Sequence, residues 1–294
     1  MYDLVKVSER CYYIQSPTNI GAVVTGEDQV CLIDSGNDKD AGKKVKRILD
    51  GNGWKLQAVY NTHAHADHTG GNQYLQKQTG CRVYARGVEH AFAAHPILEP
   101  SFLYGANPPG ELRHKFLLAQ DCDAMPLTVD CLPEGMRIIP LPGHSWDMAG
   151  FLTADGVAYL GDCLSSRETL EKYQISFLVD VQAYLETLEA IQRIEARLFV
   201  PSHAQPAEDI VPLAQANIRK VYDVADAILR ICQNPTTFEG IMKRLFDEFH
   251  LTMTFEQHAL VGSTVRSYLT WLKEQGRLRA FFEENTLLWT AEGE

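Results

Sequence analysis

The ten residues from Thr62 to Gly71, Thr-His-Ala-His-Ala-Asp-His-Thr-Gly-Gly, constrain this chain more than any other stretch. His63, His65, Asp67 and His68 follow directly on the apolar run Leu56 to Tyr60, which has the length and side-chain type of a buried strand. Histidine supplies only 10 of the 294 residues, so this density at a strand end argues against a surface accident. Imidazole nitrogen and carboxylate oxygen are the donors that borderline cations such as Zn²⁺ accept, about four to an ion. On an extended loop His63 and His65 point to one side, because side chains alternate. Asp67 and His68 come where the chain turns into a helix opened by Thr69, Gly70 and Gly71, so they face a second point. One loop can therefore start two metal sites.

The same device recurs further along. Met136 to Leu141 reads as a strand that delivers His144 through Pro142-Gly143. Phe151 to Thr153 and Val157 to Leu160 read as a hairpin whose second strand ends in Gly161-Asp162, and Arg197 to Val200 ends in Pro201-Ser202-His203. Glycine or proline beside each ligand-type residue permits a tight turn. With the first loop these make seven nitrogen or oxygen donors, about the number a two-ion site requires. The early runs Cys11 to Gln15, Ile20 to Thr25 and Val30 to Ile33 read as an antiparallel meander ending in Asp34-Ser35-Gly36. Asp34 is read in two ways, as a hydrogen-bond partner of a metal-bound histidine or its loop, or as the cap of a helix over Lys39 to Leu49.

These motifs together resemble the metallo-β-lactamase superfamily: Leu-Ile-Asp-Ser-Gly at 32–36, Thr-His-Ala-His-Ala-Asp-His at 62–68, Pro-Gly-His at His144, Gly-Asp at Asp162 and Ser-His at His203. The resemblance implies an α+β fold, a four-layer αββα sandwich. It further implies that His63, His65 and His144 hold one divalent ion, that Asp67, His68 and His203 hold the other, and that Asp162 bridges them. Zn²⁺ is the first expectation, with Fe or Mn²⁺ also suited to these donors. The nucleophile would be a hydroxide between the ions, oriented by Asp67, which is thus the catalytic candidate. A site with Asp67 and Asp162 and no cysteine ligand is more similar to the glyoxalase II and nuclease-type branches than to true β-lactamases, and Cys163 is read as a core thiol.

Residues 1–207 are taken as the catalytic domain and 208–294 as a helical linker plus a small C-terminal domain. In the latter, Phe238 to Phe249 and Phe255 to Gln275 read as helices and Arg277 to Thr290 as a hairpin, a pattern similar to the winged-helix appendage of the β-lactamase-like protein 2 type. A winged helix suggests nucleic acid, but residues 208–294 hold nine Lys or Arg against thirteen Asp or Glu, and the hairpin tip carries Glu283 and Glu284. The charge favours a structural role, closing one side of the cleft or making a homodimer contact.

The whole chain has a net charge of −11, which works against phosphate backbones and acidic membranes and favours a small-molecule substrate. Seven scattered cysteines without a C-x-x-C pair argue for reduced thiols in a cytoplasm, and neither a secretory leader nor a long apolar span is read. Residues 96–126, rich in proline, read as a long connection of the lid or binding-loop kind. His90, His95 and His114 are read as structural; Tyr104, Lys172 and Tyr173 lie in segments able to reach the cleft but are read as surface or packing residues. The leading reading is a dinuclear hydrolase of a small ester, thioester or lactone; the other enzyme reading is a single-stranded RNA endonuclease. A metal-holding protein without turnover and a one-iron sulfur oxidase fit the full donor set less well.

Overall fold

Two β-sheets lie face to face with helices on both outer surfaces in the computed structural model, which describes residues 2–292. The first sheet has seven strands in sequential order: β1 (Asp3–Lys6), β2 (Cys11–Gln15), β3 (Ile20–Val24), β4 (Gln29–Ile33), β5 (Lys55–Tyr60), β6 (Arg82–Ala85) and β7 (Ala124–Pro126). Strands β2 to β4 form the antiparallel meander read from the sequence, β1 adds an antiparallel edge strand absent from that reading, and β4 to β7 pair in parallel. Parallel neighbours need crossovers. These are α1 (Lys39–Gly51), then α2 (Ala66–Thr69) with α3 (Asn72–Thr79), then α4 (Glu89–Ala94) with α5 (Leu98–Tyr104).

The second sheet runs β11-β10-β9-β8, from β8 (Arg137–Pro140), β9 (Ala149–Leu152), β10 (Val157–Gly161) and β11 (Leu198–Pro201). Its outer face is covered by α7 (Val181–Ile191) and α8 (Val211–Ile231), with α6 (Arg167–Tyr173) beside them. Four layers result, as the α+β sandwich expectation requires.

Three apolar layers explain why the strands sit where they do. Between the sheets, Tyr13, Val23, Ile33 and Tyr60 meet Phe151, Val157, Tyr159 and Val200. Outside the first sheet, Ile20, Leu32, Val59 and Val83 pack on Val45, Leu49 and Leu75 of α1 and α3. Outside the second, Leu152, Ala158 and Leu160 pack on Leu185, Leu188 and Ile191, so the helical stripe of α7 does cover a sheet face. The central strands are buried on both faces and therefore read as continuous apolar runs.

The C-terminal elements are α9 (Phe238–Glu248), α10 (Phe255–Glu274) and the hairpin β12 (Leu278–Glu283) with β13 (Thr286–Ala291). Ile241, Leu245, Val265, Leu269 and Leu272 join the same apolar cluster as α7 and α8, so this region is fixed to the sandwich by a shared core. No helix among the described residues is long and apolar enough to cross a membrane.

Two expectations need correction. Residues 96–126 are not a structureless connection: they contain α5, a 3₁₀ turn at Gly110–Leu112 and the edge strand β7, and Pro100 is accommodated because it lies in the first turn of α5, where no helical hydrogen bond is lost. Asp34 does not cap α1. That role belongs to Asp38, whose carboxylate accepts from the Ala41 N–H at 2.9 Å.

Phe151 is fully buried where the sheets meet and its ring lies 5.8 Å from that of Tyr60. Phe151→Ala should cost about 3–5 kcal/mol, through lost burial plus the cavity left behind. Urea unfolding monitored by fluorescence measures this, and a loss below about 1 kcal/mol would contradict the face-to-face packing.

Candidate metal centre

All seven donors predicted from the sequence converge at one end of the sandwich, where β5, β8, β10 and β11 deliver their C-terminal loops. They fall into two groups, His63, His65 and His144 on one side and Asp67, His68, Asp162 and His203 on the other; within each, the donor atoms lie within 4.8 Å of one another. Close backbone approaches set the loops. Gly143 has φ +122°, and a Cβ there would sit 2.3 Å from the Tyr184 nitrogen, so only glycine lets the turn before His144 press on α7. The pairing of β10 with β11 slips between Tyr159 and Gly161, a bulge that aims Asp162 into the site.

In the first group the His65 Nδ1 lies 2.9 Å from His63 Nε2 and 3.1 Å from His144 Nε2. The opposite ring nitrogens face acceptors. His144 Nδ1–H donates to the Phe177 carbonyl at 3.0 Å, and His63 Nδ1–H to the Thr62 hydroxyl at 3.0 Å, whose own proton goes to Asp34 Oδ2 at 2.8 Å. These outward bonds place lone pairs, not protons, on the inward nitrogens. Inward lone pairs this close repel one another unless a cation lies between them. Burial, with the neighbouring rings, also holds His63 and His144 below the ordinary imidazole range and brings His65 down to about 3, keeping all three neutral, as metal ligands must be.

The second group is anionic. His68 is fully buried; its Nδ1–H donates to Asp34 Oδ2 at 2.7 Å, and its Nε2 looks toward Asp162 Oδ1 at 3.2 Å and Asp67 Oδ2 at 3.4 Å. The His68 Nε2 and Asp162 Oδ1 are both buried without a hydrogen-bond partner. Such orphaned atoms on facing donors fit an ion. His203 Nε2 lies 3.0 Å from Asp67 Oδ2 and 3.3 Å from Asp162 Oδ2, while its Nδ1–H donates to the Pro17 carbonyl at 3.1 Å. Burial alone would raise both aspartates, but the surrounding imidazoles hold Asp67 and Asp162 well below the usual carboxylate range. Asp34 also accepts from the Thr62 N–H at 2.8 Å, so the first of its two sequence readings is what the structure contains.

Several participants had no sequence signature. The β2–β3 turn reaches the centre from far away in the chain: Thr18 Oγ1 donates to Asp67 Oδ2 at 3.0 Å, and Asn19 Nδ2 donates to the carbonyls of Pro201 and Ala204 on either side of His203. Glu99, nearly buried on α5, lies 3.8 Å from His65 Nε2. Lys172 and Tyr173, read as surface or packing residues, in fact line a cavity of ≈ 500 Å³ whose floor includes His144, Asp162 and His203. Its walls carry Leu164, Ile175 and Phe177, and α10 closes one side with Gln257, Leu260, Val261 and Thr264. Tyr104 lies elsewhere, against Phe255. Cys163 is a buried core thiol, as read. His90, His95 and His114 belong to neither donor group.

The chain belongs to the metallo-beta-lactamase superfamily, whose sequence profile matches residues 14–203. Within that class it is similar to the hydroxyacylglutathione hydrolase of Methylobacillus flagellatus, 43% identical over 121 residues, 41% of this chain and 38% of that protein. The atrochrysone carboxyl ACP thioesterase of Aspergillus fumigatus is 25% identical over 221 residues, 74% of this chain and 60% of that protein. The chain thus matches less than two thirds of the length of these relatives. Among solved structures, a metallo-beta-lactamase family protein from Thermus thermophilus superposes with a TM-score of 0.72 over 99% of this chain and 98% of that one, at 17% identity, a likeness of fold alone.

The anionic group makes a pH prediction for protein freed of metal by a chelator. Burial would depress His203, but Asp162 and Asp67 overcome this and push it up from 6.5 to about 10. A raised folded-state value means that the pairing stabilises the fold fully below pH 6.5 and that this contribution is lost as pH rises through about 10. NMR titration of the His203 ring should show it still protonated at pH 8; a ring already neutral there would contradict the pairing.

Proposed function

We propose that this chain is a dinuclear metal-dependent hydrolase of a small ester, thioester or lactone, with thioesters foremost. The observation that carries the reading is the position of Asp162 between the two donor groups: Oδ1 faces His68 Nε2 at 3.2 Å, while Oδ2 is 3.3 Å from His203 Nε2 and 3.6 Å from His144 Nε2. In this reading His63, His65 and His144 hold one ion, Asp67, His68 and His203 the other, and Asp162 both. Zn²⁺ suits the imidazole-rich set, and Fe or Mn²⁺ also accept it. When bound, two such ions supply Lewis acidity and make water acidic enough to attack near neutral pH.

The chain's own residues do the rest. Asp67, an anion fixed by Thr18 and His203, orients the attacking water. Asp34, through His68, and the Phe177 carbonyl, through His144, keep the ligand rings in the required tautomer. The cavity over the centre has apolar walls at Leu164, Ile175 and Leu260 that suit an acyl group, and exposed Lys172 offers a positive charge at its rim to an anionic thiol carrier. Two relatives, one named a hydroxyacylglutathione hydrolase and the other a carboxyl ACP thioesterase, support the same bond type. Against RNA stand the net charge and the acidic hairpin tip.

Purified protein should hydrolyse members of a panel of acyl thioesters and lactones, with activity lost on chelation, restored by Zn²⁺, and reduced at least ~10³-fold in His63→Ala. Cleavage of single-stranded RNA, lost in the same variant, with no member of the panel turned over would overturn the substrate class. Asp162→Ala should lower the content of both ions, because one carboxylate serves both; elemental analysis checks this, and two ions retained at wild-type affinity would remove the bridging role.

A further inference from the structure

The two loops that carry His63, His65 and His144 come from different sheets, and the bonds among the histidines themselves cannot hold them at one distance, since their inward nitrogens are all acceptors. A third element joins the loops. Glu89, the first residue of α4, is 3% exposed and directs its two carboxylate oxygens to two different places. Its Oε2 accepts the N–H of Ala64 at 2.9 Å, and Ala64 stands between His63 and His65. Its Oε1 accepts the N–H of Asp147 at 3.1 Å, three residues after His144. Asp147 answers in the other direction: its Oδ2 accepts the Val88 N–H at 2.9 Å, and Arg86 Nη1 lies 3.4 Å from its Oδ1.

We propose that Glu89 is a positioning residue, a carboxylate clamp that fixes the spacing of the His63–His65 loop relative to the His144 loop and thereby builds the three-histidine half of the centre. The chemistry explains why this position carries an acid. Two backbone N–H groups, one from each loop, need two acceptors at a fixed separation inside the protein, and a carboxylate has no donor to misplace. Glutamine has nearly the same shape but turns one acceptor into an N–H donor facing another N–H donor. Asp34 serves both halves, through Thr62 and through His68, but Thr18 and Asn19 of the β2–β3 turn hold only the Asp67–His203 half and Glu89 holds only the three-histidine half. Loss of Glu89 should then affect one half only.

This inference rests on the two-ion reading for its metal consequence, though the clamp itself does not require an ion. Hydrogen exchange on chelator-treated protein tests the clamp: Glu89→Gln should exchange about tenfold or more faster at the amides of Ala64 and Asp147, with residues 16–19 and 201–204 unchanged. Competition titration with Zn²⁺ tests the consequence. One equivalent should bind about 10–100-fold more weakly in Glu89→Gln, while the other stays at the wild-type value. Glu89→Asp, which keeps both acceptors on a stem one methylene shorter, should fall between the two, and it also serves as the measured variant should the glutamine protein not fold. Leu245→Ala, a core truncation on α9, whose contacts are with α8, α10 and β13, should leave the ratio of the two affinities unaltered. Unchanged exchange at Ala64 and Asp147, or a uniform rise along the chain, would overturn the clamp, as would equal weakening of both ions. Wild-type protein that took up no ion would instead remove the two-ion reading, and the exchange result would still decide for or against the clamp.

Discussion

His68 is the point on which the electrostatics of this molecule turn. Asp34, Asp67 and Asp162 all face one fully buried ring, and burying that much negative charge is unfavourable unless positive charge comes with it. Burial would strip the proton from His68, yet the three carboxylates overcome this and raise it well above the ordinary imidazole range. With nothing but protons to draw on, the chain places them on His68 and His203. A divalent cation satisfies the same field more completely, so cation binding and proton release are linked here. Two carboxylates that would otherwise repel, Asp67 and Asp162, are tolerated side by side only because the centre is built to receive positive charge.

That requirement explains the architecture around it. A ring nitrogen must hold its direction closely to serve an ion, and a flexible loop cannot do this alone. Here short loops leave the strand ends, and three of them are tied at a second point: Thr62 to Asp34 and Ala64 to Glu89, His144 to Phe177, and His203 to Pro17 and to Asn19 at its flanks. The sandwich core between Tyr60 and Phe151 fixes how far apart the two sheets' loops begin; the side-chain and backbone bonds fix where they end.

The sequence discloses the donors because donor chemistry has few solutions. Histidine and acid recur at strand ends beside glycine or proline, so His63, His65, Asp67, His68, His144, Asp162 and His203 are all legible, and the strands that deliver them are legible from their apolar runs. What supports the donors is less so. Asp34 is visible because it stands at a strand end beside the same kind of turn. Glu89 and Glu99 are single acids in short helices with no pattern to distinguish them from solvated ones; their meaning comes from burial, which is a property of the fold. Proline suggests a loop over 96–126, but a proline in the first turn of α5 costs no hydrogen bond, and the edge strand β7 is only three residues long, below what periodicity resolves. Lys172 and Tyr173 gain their place only when the β10–α6 connection folds over the centre, a long-range outcome that no local rule contains.

The C-terminal region shows the same limit from the other side. Its helix, helix and hairpin are plain in the sequence, yet which face of α10 looks at the catalytic half is decided by packing. The C-terminal part of α10, with Val265, Tyr268, Leu269 and Leu272, is taken up by the shared core, while its N-terminal part puts Gln257, Leu260 and Thr264 along the cavity, and Val261 belongs to both. The two sets share a face of the helix, spaced three and four residues apart, so what changes from cavity wall to core is the distance along the α10 axis. In the proposed hydrolase the seven donors act on the bond while this wall bounds what lies over it, so substitutions along α10 would change substrate preference without touching any of the donors.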